Sequence, residues 1–192
     1  MKQLRLFLDT ETTGLDPQVN AIIEIAGILE LNGKIVEEFS WNMRPAKNKV
    51  VDPAALVVNG LTQEDLDTYE SSTQVYQTFL QMLDSYINKY DSSDKAYFFA
   101  YNAGFDQGFI EQWFKDNKNP YLFSYSAWPW IDVAVLAAVY AEKQRNMLPN
   151  FKQGTVAKSL GIDVDDDKLH GGLYDVQIMK QIYNILEREL NV

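Results

Sequence analysis

The chain has no cysteine. Disulfides, zinc–thiolate centres and a cysteine nucleophile are therefore excluded, and an intracellular location is allowed. It also lacks any apolar run near the roughly 18 residues that span a bilayer, and its first residues do not read as a signal peptide. Positive charge is scarce: 17 Lys and Arg stand against 27 Asp and Glu, a formal net charge of −10. That balance argues against nucleic acid, because phosphate binders usually carry a basic excess. The objection stays open, since carboxylates that hold metal ions are themselves working parts of phosphate enzymes. Internal repeats, low-complexity segments and domain linkers are absent as well. What is present is 192 residues at 46% hydrophobic content, enough for a core. The expectation is one domain over residues 1–192, standing alone rather than as a fragment.

Strand signals come first. Leu4, Leu6 and Leu8 alternate with Arg5 and Phe7 at a period of two. Residues 21–31 read as a second strand, Asn32-Gly33 as a hairpin turn, and residues 34–43 as a third strand. Residues 44–61 look like a loop with at most one helical turn. Thr62 is a plausible N-cap with Asp65 in the capping-box position. Helical spacing follows over 73–90, then a buried strand over 95–101, a helix over 105–116, a short strand near Tyr125 and a helix from Asp132 to about Lys143. Thr155 is placed to cap a short helix ending at Gly161, and the last helix runs over 172–190. Residues 144–154 read as a flexible loop. Strands followed by helices interleaved with strands indicate an α/β layered domain with a mixed sheet.

Three short segments bring acids to element ends. Asp9 and Glu11 stand at i and i+2 where the first strand ends, so both carboxylates face one side. Thr12, Thr13, Gly14 and Leu15 follow as a turn in which Gly14 allows close backbone approach. Asn102 to Asp106 follows the buried strand and opens a helix. His170, the single histidine, is joined through Gly171 and Gly172 to the helix that carries Asp175. Taken alone, each has a plain reading: two unrelated acids on a solvated strand end, helix N-terminal acids favoured by the macrodipole, a structural or merely exposed histidine.

Taken in order, Asp-x-Glu, Asn-Ala-Gly-Phe-Asp and His-x4-Asp resemble the exonuclease family with four acidic ligands and a histidine. That family includes the proofreading subunit of bacterial replicative DNA polymerase, ribonuclease T and oligoribonuclease. The resemblance extends through Val51-Asp52-Pro53, Gly60-Leu61-Thr62, Asp132 and Leu160-Gly161-Ile162, over nearly the whole chain. Three positions depart from it: Tyr101 and Asn59 stand where relatives often have histidine, and Gly172 where they usually have alanine. No ligand or base position is lost.

The resemblance implies a ribonuclease H-like three-layer fold, with a mixed five-stranded sheet flanked by helices. It implies a 3′-to-5′ exonuclease using two divalent cations, Mg2+ or Mn2+, about 3.5–4 Å apart, and oxygen ligands suit such ions. Asp9 would bridge both ions, Glu11 and Asp175 would complete one site, and Asp106 would serve the other, mainly through water. His170 would be the general base, closing on a Gly171-Gly172 hinge. Thr12, Thr13, Gly14 and Leu15 would line the terminal-nucleotide pocket, with Asn102 and Phe105 opposite. The expected substrate is a single-stranded DNA 3′ end releasing nucleoside monophosphates. RNA is the alternative, since only 2′-OH contacts separate the two. A catalytically dead nucleic-acid or polymerase interaction module is a third reading, disfavoured because all five positions are filled. A DNA polymerase is a candidate partner, no membrane is involved, and the expected location is cytoplasmic. Monomer and dimer stay open.

Residues 97–130 hold 13 of the 25 aromatics, and stacking on aromatic faces is a common way to bind single strands. Phe98, Phe99, Phe109 and Trp113 are read as core, while Tyr125, Trp128 and Trp130 are the candidates for exposure, with a packing corner at 128–130 as the equal alternative. The acids at 163–167 read as a solvated loop. Two bound divalent ions would bring the formal charge from −10 to −6. With no large basic platform, a short single-stranded end is the better expectation than long duplex.

Overall fold

The computed structural model describes residues 2–142, 148–169 and 171–191. Five strands form one sheet: β1 (Leu4–Thr12), β2 (Ile22–Leu31), β3 (Lys34–Asn42), β4 (Tyr97–Ala100) and β5 (Ile131–Asp132). Their order is β3-β2-β1-β4-β5. The first three strands are an antiparallel meander, turned at Asn32-Gly33 with both residues at positive φ. β4 runs parallel to β1, and β5 parallel to β4. The meander is the one that the alternation and the turn residues foretold, and the sheet is mixed, as the order of strands and interleaved helices foretold.

Helices cover both faces, because β1 is apolar on both. Leu4, Leu6 and Leu8 face a core built with α3 (Ser72–Tyr86) and α4 (Ala103–Asp116), whose Val75, Phe79, Leu83, Phe109, Ile110 and Phe114 are buried there. Phe7 and Phe99 stack at 4.6 Å on the opposite face. That second core is closed by α5 (Val133–Tyr140), α6 (Gln153–Ser159) and α7 (Gly172–Leu190). A charged contact between buried Glu30 and half-buried cations lies at its edge. Glu30 accepts Lys180 Nζ at 2.8 Å and lies 3.7 Å from Arg5, which also pairs with Glu187. Satisfied in this way, the charges fasten α7 to β1 and β2.

Several boundaries differ from expectation. Residues 44–61 are not only loop: α1 (Pro53–Asn59) lies there, with Asp52 as N-cap, proline in its first turn and Gly60 in the left-handed conformation after it. α2 (Gln63–Thr68) has the expected capping box between Thr62 and Asp65. α3 begins one residue early, because Ser71 and Gln74 form a capping box, and stops at Tyr86 rather than residue 90. α4 starts at Ala103, two residues early. No strand forms at Tyr125; a 3-10 turn at Leu122–Ser124 leads to a single bridge between Ala96 and Ser126. α6 is capped at Lys152 rather than Thr155. Tyr125 and Trp130 are buried, with Tyr125 donating to Asp84 and Trp130 to Ser126. Only Trp128 of that group is exposed, so the segment is chiefly a packing corner. Phe98, Phe99, Phe109 and Trp113 are core as expected. The loop expected at 144–154 falls partly outside the described residues, as does the end of the helix expected to reach Lys143. No helix among the described residues is long and apolar enough to cross a membrane.

Candidate active site

Strand alternation continues past the core to the end of β1. Asp9 and Glu11 emerge on the Phe7 side, the face that α7 covers, and Thr10 emerges on the other. Asp175 sits in the first turn of α7. Asp9, Glu11 and Asp175 thereby each offer a carboxylate oxygen within 4.8 Å of the other two. The ladder between β1 and β2 shifts register between Glu11 and Thr12, a bulge that turns the chain away after the second acid.

Asp106 lies on the α4 side and is buried. Its Oδ1 accepts the Thr10 N–H at 3.0 Å and the Thr10 hydroxyl at 2.8 Å. It stands next to the trio rather than in it, close enough that its charge acts on Asp9. His170 lies outside the described residues.

Burial holds Asp9 well above the ordinary carboxylate range, reinforced by the charges of Asp106, Glu11, Asp175 and Glu24. Glu11 is pushed up to about 7, first by burial and then by Glu24, Asp175 and Asp106. Asp106 is also raised by burial, against the pull of the two Thr10 donors. Converging carboxylates in a half-dry site are stabilised either by protons or by a cation. An all-oxygen anionic donor set is what a hard divalent ion requires, so these residues suit the metal chemistry expected of them.

A pocket of about 350 Å³ opens beside the acids, lined by Thr10, Glu11, Thr12, Gly14, Leu15 and Phe105, and across from them by residues of α1, among them Ala55, Val58 and Asn59. Its rim is apolar and uncovered: Leu15 is 84% exposed and Val58 65%. Thr13 is not on this surface. It is fully buried, its hydroxyl donating to Val50 O and accepting from the Ala21 N–H. Gly14 has a structural reason: a Cβ there would meet the Asn20 side chain at 2.4 Å. Asn102 stands at the N-cap of α4 and does not line the pocket. The α1 wall was not foreseen; Asn59 was named only as a departure from the family pattern. The signal was the Asp-Pro start and the glycine stop that delimit α1 itself.

The RNase_T family model, described as Exonuclease, matches residues 6–183. The chain belongs to the RNase_T exonuclease family. Its domain is 30% identical over 181 residues to a PolC-type DNA polymerase III of Thermotoga petrophila, covering 92% of this chain but only 11% of that protein. DNA polymerase III subunit epsilon of Pasteurella multocida is 29% identical over 190 residues, 93% of this chain and 66% of that one. Ribonuclease T of Shewanella frigidimarina is 24% identical over 189 residues, 93% and 80% of the two chains. Among solved structures, E. coli exonuclease I in complex with a dT13 oligonucleotide superimposes with a TM-score of 0.77 at 20% identity, over 96% of this chain and 41% of that one. The fold is the expected ribonuclease H-like one, and this chain spans 11% of the PolC-type polymerase and 66% of subunit epsilon.

The three departures from the family pattern have structural partners. The Tyr101 hydroxyl donates to Phe151 O at 2.8 Å, and Asn59 Nδ2 donates to Thr12 O at 3.1 Å, tying α1 to the end of β1. Gly172 begins α7 packed tightly on β2: a Cβ would lie 2.8 Å from Glu24 Oε1 and 3.0 Å from the Ala26 Cβ. Gly172 is therefore a packing glycine. Gly172→Ala is expected to cost about 1–3 kcal/mol through overpacking and to displace the turn that carries Asp175. Urea unfolding together with nucleotide release checks both; a variant as stable and active as the parent would refute the tight contact.

Proposed function

We propose that this domain removes nucleoside monophosphates from the 3′ end of single-stranded DNA. The observation that carries the reading is the meeting of Asp9, Glu11 and Asp175 at the end of β1, beside an open, apolar-rimmed pocket. Asp9, Glu11 and Asp175 would hold one divalent cation, Mg2+ or Mn2+, and Asp9 with Asp106 a second. Bound there, the cations supply charge stabilisation for the attacking and leaving oxygens of the phosphodiester. The chain's own groups do the rest. Leu15, Val58 and Phe105 offer apolar surface to the terminal nucleoside. Thr12, Gly14 and Leu15 present backbone groups to its 3′ end. His170, by resemblance, takes the proton from the attacking water. Thr13, buried and bonded to Val50 and Ala21, supports this turn instead of touching substrate.

The acidic surface supports a short grip on a single strand rather than a duplex track. The polymerase relatives support a DNA polymerase as partner, and a cytoplasmic place of action goes with that reading. The test is a digestion panel of 3′-labelled single-stranded DNA, duplex DNA, RNA and dinucleotides with and without magnesium. The expected result is magnesium-dependent release, fastest on single-stranded DNA. Faster release from RNA would transfer the activity to the ribonuclease T side of the family. Binding without release in either magnesium or manganese would make the domain an interaction module.

A further inference from the structure

Helix α4 carries Phe105 and Asp106 in its first turn, yet its own N-cap residue does not cap it. Asn102 is in the left-handed conformation (φ 66°, ψ 53°) and makes no side-chain cap hydrogen bond. The first N–H groups of a helix need acceptors, and here they come from thirty residues further along the chain. Asp132 Oδ1 accepts the Asn102 N–H at 3.1 Å, and its Oδ2 accepts the Ala103 N–H at 3.1 Å. The same carboxylate caps its own helix, α5, accepting the Ala134 N–H at 2.9 Å and the Val135 N–H at 3.4 Å. The pairing is made possible by the parallel ladder, which sets Asp132 directly beside Ala100 at the end of β4. One side chain thus joins two helix starts, and Asn102 is relieved of capping its helix.

We infer that Asp132 is a positioning residue for the nuclease reaction, fixing the left-handed turn at Asn102 and the first turn of α4 so that Phe105 and Asp106 keep their places at the site. The inference rests on the proposed nuclease function, because it gives those two residues their roles. Both carboxylate oxygens are engaged: Oδ1 accepts at both helix starts, from Asn102, Ala134 and Val135, and Oδ2 accepts from Ala103. Serine at this position is still a good N-cap for α5, but it is too short to serve α4.

Asp132→Ser therefore separates positioning from local stability. Ser71→Ala, which removes the cap of α3 away from the site, is the control for general destabilisation. Both are assayed well below their unfolding temperatures. Asp132→Ser is expected to raise the KM for a single-stranded DNA oligonucleotide and the half-saturating magnesium concentration about tenfold each, with a drop in kcat. Amide hydrogen exchange in the first turn of α4 should accelerate by a similar factor. Ser71→Ala should leave all four unchanged. If Asp132→Ser lowers activity only in proportion to the folded fraction, with KM and magnesium dependence unmoved, the inference is overturned. Should the parent protein release no nucleotide from any oligonucleotide, the functional reading falls instead, and the exchange comparison alone decides the positioning: no acceleration at α4 refutes it.

Discussion

Asp9→Ala is expected to reduce nucleotide release by roughly a thousandfold or more, equivalent to about 4 kcal/mol of barrier, while leaving the metal-free protein as stable as the parent or more so. Asp9 is the carboxylate on which the site's repulsions converge, with Asp106, Glu11, Asp175 and Glu24 all acting on it. Its charge has no compensating cation among these neighbours, and burial makes that charge costly. Removing it relieves the strain that a bound cation would otherwise absorb. The two effects have opposite signs, and this makes the experiment informative. Loss of activity through misfolding would lower the unfolding temperature measured in chelator. Loss through a missing metal ligand would leave that temperature level or raise it. Near-parental release by a well-folded Asp9→Ala protein would remove the basis of the proposed function.

In chelator, the protein should lose stability as pH rises from about 5 to 8, and saturating magnesium should restore more at pH 8 than at pH 5. Glu11 titrates near 7 in the folded chain against an ordinary value of 4.5. Between those values the folded state holds more protons than the unfolded state, so raising the pH favours unfolding. Protonated, Glu11 carries no penalty; ionised, it costs up to about 3 kcal/mol. Asp9 is raised as well and adds to the same slope. The surface acids Asp65, Asp91, Asp94 and Asp165 shift the other way, below 3.8. Their contribution is complete by pH 5 and does not blur the window. Metal must displace the protons, so apparent affinity should climb by up to about tenfold per pH unit for each proton released. Glu11→Gln should flatten the chelator profile. A parent profile already flat from pH 5 to 8, with no magnesium dependence, would show that these carboxylates do not act as one cluster.

The elements legible in the sequence were those whose information is local. Leu4, Leu6 and Leu8 in alternation, the Asn32-Gly33 turn, the Thr62–Asp65 box and the apolar stripe of α7 each announce themselves within a few residues. α1 carried equally local signals in Asp52, Pro53 and Gly60, but its apolar residues pack on no core, so hydrophobic periodicity passed over it. Tyr125, a candidate for exposure, and Trp130, for which exposure and a packing corner were equal alternatives, are buried because burial depends on partners distant in sequence: Asp84 and the Phe114 ring for Tyr125, and Phe98 for Trp130. The end of α3 at Tyr86 was equally invisible, since an apolar pattern continues to Ile87 whether or not the backbone does.

The acids themselves, their order along the chain and their places at element ends were set by the sequence alone, because helix and strand periodicities fix which way a side chain points within its own element. Which acids meet was decided only in three dimensions. The antiparallel meander and the return of α7 across β1 and β2 bring Asp175 to Asp9 and Glu11, while α4 delivers Asp106 to the other side of the same strand, where Thr10 receives it. The parallel pairing of β4 with β5 puts Asp132 where it can hold the start of α4. No spacing in the sequence encodes these meetings, because each is made by packing two surfaces whose residues lie tens to more than a hundred positions apart.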